Sequence, residues 1–155
     1  MKRMHSTIEI ETPPDRVWAT MRDVERWSEW TPTIISIQPL DPGPLAVGTR
    51  VIIRQPKLLP ARWRVTELQE GRSFTWITRG PGILVTARHS IEHAAIGSRV
   101  TLSVDFSGPL GPLCALLTGG LTARYLSLEA QGFKKCVEAQ APSQASKLAG
   151  AGASR

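Results

Sequence analysis

A chain of 155 residues, 41% of them apolar, suits one domain with a substantial core and is too short for several. Its net charge of +6 raises nucleic acid as a partner, but the arginines recur along alternating segments (Arg50, Arg54, Arg62, Arg64, Arg72, Arg79, Arg88, Arg99), as on a solvated sheet face. Neither a zinc-ligand spacing, an RNA-binding aromatic motif nor an apolar run near the roughly 20 residues of a membrane span is present, which argues against nucleic acid and stable membrane insertion.

Met1-Lys2-Arg3-Met4-His5 enters a strand directly, with no hydrophobic signal segment, so a cytoplasmic protein is expected. That strand, residues 5–12, alternates through Ile8-Glu9-Ile10-Glu11. A short helix follows, with Thr12 as N-cap, Pro13 at the first helical position and Asp15 as the acid of a capping box. Asp23 is placed to cap a second short helix, whose Val24, Trp27 and Trp30 share a face until Pro32 ends it. Trp18, Trp27 and Trp30 are read as anchors of these helices under the end of a sheet, with Trp30 near a pocket floor.

Strand signals then run in series: Thr33–Leu40, Val47–Gln55, Ala61–Leu68, Arg72–Arg79, Ile83–His93 and Ser98–Ser107. Turns fall at Pro42-Gly43-Pro44, Gly71, Gly80-Pro81-Gly82 and Ala94–Gly97. From Pro109 the period becomes helical, through Leu113, Leu117, Leu121, Tyr125, Leu128, Gly132 and Cys136 to about Ala141. Gly119-Gly120 marks a bend or a close approach to the sheet. Residues 142–155, rich in Ala, Ser and Gly, form a flexible tail behind a single domain of residues 1–141. Cys114 and Cys136 fall on that one helix, roughly 30 Å apart at its rise per residue, out of reach of a disulfide.

Alternation assigns inward faces. Val85, Ala87 and His89 share one, as do Leu102 and Val104, Phe74, Trp76 and Thr78, and Trp63 with Val65. A sheet with one apolar face needs a cover, and the long helix is the available element. The resulting α+β architecture is a single curved sheet of about seven strands covered by the long C-terminal helix. Curvature would hold the middle of the sheet away from the helix and leave an apolar cavity.

Ile8-Glu9-Ile10 leading into Pro13-Pro14-Asp15-Arg16-Val17-Trp18, the run Asp23–Trp30, Ala87-Arg88-His89-Ser90-Ile91-Glu92 and Glu129–Lys135 carry a resemblance. The chain resembles the START-related helix-grip superfamily, in its polyketide cyclase/dehydrase-like (SRPBCC) branch, over nearly all of the domain. The resemblance implies the helix-grip fold, a seven-stranded curved antiparallel sheet wrapped around the C-terminal helix, with a ligand cavity between them. It implies less about chemistry, because carriers of lipids and hormones, cyclases and chaperone activators share that fold.

The expected ligand contacts are Trp63, Phe74, Trp76, Thr78, Val85, Ala87, His89, Leu102, Val104, Leu117, Leu121 and Tyr125, with Gln55 at the mouth. His89 is the polar side chain on an otherwise apolar face, either a ligand or proton-transfer group or a core histidine with a protein partner. Tyr125 is the second catalytic candidate, as an orienting group or acid, and alternatively a packing residue. His89 and His93 lie about 13 Å apart at strand spacing, so they cannot chelate one ion, and no metal or cofactor is expected. Asp105 alternates outward, away from His89. The loop Lys57-Leu58-Leu59 reads as a lid or a transient membrane contact, or as leucines folded over the sheet rim.

Three functions follow from this reading. The first is binding or transport of a small hydrophobic or amphipathic molecule by a monomer or homodimer. The second is a cyclase/dehydratase using His89 and Tyr125. The third is a regulatory interaction module acting through the basic sheet face or the leucine loop.

Overall fold

The structure is a computed structural model that describes residues 2–151, with side chains described within residues 3–140. Strand β1 (Lys2–Ile10) is followed by helix α1 (Pro14–Arg22) and a 3-10 helix at Val24–Glu29. Strands β2 (Ser36–Pro39), β3 (Arg50–Arg54), β4 (Ala61–Gln69), β5 (Ser73–Gly80), β6 (Ile83–His93) and β7 (Ser98–Ser107) then lead to helix α2 (Gly111–Ala151). The seven strands form one antiparallel sheet in the order β1-β7-β6-β5-β4-β3-β2. Helix α2 packs over β1, β7 and β6, so the chain is the expected helix-grip α+β fold. The expected tail begins at residue 142, where side chains lie outside the described residues, and residues 152–155 lie outside them altogether.

Alternation works as a folding code along the middle strands. On β5 and β6, Phe74, Trp76, Ala87, His89 and Ile91 are buried inward while Arg79, Arg88 and Glu92 face solvent. A register shift between Val65 and Glu67 adds bend to β4 and sharpens the curl of the sheet. Two glycines permit close approaches. At Gly97 (φ 84°) a Cβ would collide with the carbonyl of Ile10, and at Gly132 with that of Trp30, which seats the 3-10 helix against α2.

Local departures from expectation have physical causes. The cap of α1 is Pro13, with Pro14 in the first turn and no side-chain cap bond. Thr12 is drawn into the core instead, where its carbonyl accepts a 2.6 Å bond from Ser98 Oγ. Asp23 flanks the 3-10 helix without capping it and faces Arg26 at 4.0 Å. Strand β2 is shorter than Thr33–Leu40, since Thr33 leaves the ladder to bond Thr31 and Glu129.

The largest correction concerns α2. The expected inward stripe through Leu113 and Leu117 is displaced by about one residue. Ala115, Leu126, Ala130, Phe133 and Val137 are buried, whereas Leu113, Leu116 and Leu117 are exposed by 52%, 76% and 75%. The rotation is set in the C-terminal half, where Phe133 packs on Trp30 at 5.3 Å. The helix carries that phase back and turns its first leucines outward.

Candidate functional site

Between the curved sheet and α2 lies a cavity of about 440 Å³. Its cause is visible in the helix. Toward the sheet, the N-terminal half presents Cys114, Thr118 and Thr122, all small, whereas the C-terminal half presents Leu126, Phe133 and Val137. Packing is therefore complete at one end and open at the other. Trp63, Trp76, Thr78, Val85, Ala87, His89, Leu102, Val104 and Tyr125, all anticipated from sequence, line the space, and Gln55 joins them.

Three anticipated contacts lie elsewhere. Phe74 is fully buried behind the wall, stacked on His89 at a centroid distance of 4.4 Å. Leu117 and Leu121 are turned away from the cavity by the rotation of α2. Trp27, read as a structural anchor, is a wall residue as well. Its Nε1–H donates to the carbonyl of Met21 at 3.1 Å, and its ring meets His89 at 5.0 Å and Trp76 at 5.5 Å.

Two titratable side chains of the lining, His89 and Glu129, are shifted by burial. His89 is buried among Phe74, Trp27 and Trp76, and its Nδ1 has no hydrogen-bond partner. Burial pushes its pKa down to about 3, an effect the Phe74 backbone offsets only in part, so the imidazole is neutral. Glu129 lines the same cavity, and the sequence reading assigned it no chemistry. Its Oε1 accepts from Thr33 Oγ1 at 3.0 Å, and burial raises the carboxyl to about 7 against that single bond. The missed signal was an acid on the inward stripe, between Leu126 and Phe133.

Tyr125 also lines the cavity. Its hydroxyl donates to the carbonyl of Pro56, tying α2 to the β3–β4 loop. In that loop Lys57 adopts a left-handed conformation (φ 63°), which costs a non-glycine residue about 1–3 kcal/mol. Lys57, Leu58 and Leu59 line the mouth, with Leu59 88% exposed. Asp105, on the outer sheet face, pairs with Arg3 at 2.9 Å.

Among the described residues no helix is long and apolar enough to cross a membrane, and no three His, Cys, Asp or Glu side chains gather as a metal site would require. Cys114 and Cys136 are free thiols on α2.

Solved structures share this architecture. TTHA0849 from Thermus thermophilus superposes with a TM-score of 0.72 at 16% identity, over 90% of this chain and 99% of that one. The Zhui aromatase/cyclase from a Streptomyces species gives 0.73 at 13% identity, over 88% and 93%. The hypothetical protein jhp0584 from Helicobacter pylori gives 0.71 at 14%, over 87% and 86%. At such identities the likeness is one of fold. No curated protein gives a significant match. Sequence reaches further: the polyketide cyclase/dehydrase and lipid transport model matches residues 1–138, and with that match spanning the sheet, the helix and the cavity between them, the chain belongs to this family.

Proposed function

We propose that the protein binds a small apolar molecule carrying one polar oxygen, with the oxygen beside Glu129 and His89. The observation that carries this reading is the pairing of an apolar cavity of about 440 Å³ with Glu129 and His89 in its lining. Burial of the apolar body supplies affinity at roughly 25 cal/mol per Å². A carboxyl raised to about 7 is substantially protonated near neutrality and can donate to a carbonyl or hydroxyl, while the neutral imidazole offers a second site. Orientation then follows from the high cost of burying a polar atom elsewhere in the space. Native mass spectrometry and solvent extraction of the purified protein test the reading. An organic molecule recovered from wild type and depleted in Glu129→Leu supports it. An empty, correctly folded protein that takes up no fatty acid, sterol or aromatic ketone from a panel would end it.

A second reading, a cyclase/dehydratase, is favoured by the family and by His89 and Glu129 lining one cavity. The protonated acid would polarise a ketone oxygen while the imidazole moves a proton on the adjacent carbon. Tyr125 would act through the loop, since its hydroxyl is held by Pro56. Turnover of a poly-β-ketone substrate that is lost in His89→Ala, with binding retained, would support it. No turnover by wild type would remove it.

A further inference from the structure

The end of the molecule at which the cavity opens combines exposed leucines with cations, and we propose that it docks on an anionic lipid bilayer surface. In an antiparallel sheet alternate connections fall at the same end, which gathers the β3–β4 loop, the β5–β6 hairpin and the start of α2. Contact confirms the gathering: the N–H of Leu110 donates to the carbonyl of Gly82 at 2.8 Å. Leu59, Leu113, Leu116 and Leu117 stand exposed there, beside the partly exposed Leu58 and Leu110.

Charge identifies the occupant. Residues 54–62, 79–84 and 106–118, which build this end, contain no Asp or Glu, and the nearby Asp105 is already paired with Arg3. They contribute Arg54, Lys57, Arg62 and Arg79, all exposed and, among the described residues, without an ion pair. At the opposite end most cations face acids: Arg22 pairs with Glu70, Arg26 with Glu29, Arg50 with Asp41 and Arg99 with Glu9. Leucines that enter the interface between headgroups and acyl chains, ringed by unpaired cations, match a negatively charged bilayer. An acidic protein would meet the cations but would have to supply a separate apolar face, and a second copy would bring like charges together.

Sedimentation with vesicles of phosphatidylcholine alone, or mixed with phosphatidylglycerol, tests this at low and high salt. The protein is expected to pellet with the mixed vesicles and to be released by salt. Two variants, Arg54→Glu/Arg62→Glu/Arg79→Glu and Leu113→Ser/Leu116→Ser/Leu117→Ser, should each weaken partition by about tenfold or more. Arg72→Glu, at the opposite end, should bind as wild type. None of these residues lines the cavity, so ligand content measured on the same samples separates a failure of docking from a failure of ligand binding. Circular dichroism checks that each variant folds. Equal pelleting with both vesicle types, undiminished pelleting of the basic variant, or a concentration-dependent dimer abolished by the leucine variant would overturn the proposal.

Discussion

Glu129 and His89 are shifted in opposite senses by the same burial, and their effects on stability have opposite signs. The carboxyl is raised from 4.5 to about 7, so its contribution is complete below pH 4.5 and is lost as pH rises through 7. The imidazole is lowered from 6.5 to about 3, so its contribution is complete above pH 6.5 and is lost as pH falls through 3. Between 4.5 and 6.5 the folded state holds the carboxyl's proton and the unfolded state the imidazole's, so the two slopes cancel. Single variants should unmask them. In Glu129→Gln, stability relative to wild type should rise from pH 4.5 to 7, by on the order of 3 kcal/mol at full span. In His89→Phe, relative stability should rise as pH falls below 6.5, above a baseline improved by removal of the unpartnered Nδ1. Melting curves at closely spaced pH values read both, and parallel curves for wild type and variants would contradict the assigned protonation states. His89 was legible because alternation alone places it on an apolar face. Glu129 was not, because helix rotation decides whether an acid beside leucines faces water or core.

At the level of elements, α2 is two helices in function. From Leu126 onward it fills the sheet, and before that it retreats from it. Space-filling substitutions should therefore have opposite consequences in the two halves. Thr122→Phe adds volume on the cavity wall and should leave folding stability within about 1 kcal/mol of wild type. It should weaken binding of a hydrophobic fluorescent probe such as an anilinonaphthalene sulfonate by about tenfold, equivalent to about 1.4 kcal/mol. Ala130→Leu forces the same kind of change on a site only 2% exposed and should destabilise by about 1–3 kcal/mol, with probe affinity little altered. Chemical denaturation and probe titration on both variants give the comparison, and equal destabilisation would mean that the N-terminal half is packed after all. The strands were readable in advance, β6 and β7 to the residue, because a period of two tolerates no ambiguity about faces. Helix α2 carries leucines at two competing phases, Leu113–Leu117 and Leu126, and only the partners Trp30 and Phe133 choose between them.

Across the whole molecule, net charge conceals more than it shows. Read along the chain, the arginines are dispersed over every strand. In the fold, most acids collect with the short helices and the β4–β5 and β6–β7 turns, leaving Arg54, Lys57, Arg62 and Arg79 at the cavity mouth without an ion pair among the described residues. That separation was beyond linear reading, because it depends on which connections share an end of the sheet. It also couples the two proposals kinetically. On the two proposals, a ligand enclosed by the wall and the Tyr125–Pro56 tie would leave slowly into water, whereas a bilayer at the mouth would give its apolar body a continuous path. Transfer of a fluorescent fatty acid from the protein to vesicles should thus be accelerated by phosphatidylglycerol and slowed by salt. Tyr125→Phe frees the loop and should speed release to neutral and anionic vesicles alike, whereas Arg54→Glu/Arg62→Glu/Arg79→Glu should slow only the anionic case, at unchanged equilibrium affinity. Stopped-flow transfer at rising vesicle concentration distinguishes the mechanisms. A rate independent of vesicle charge and concentration would mean that release into water limits exchange and that the basic rim plays no part in it.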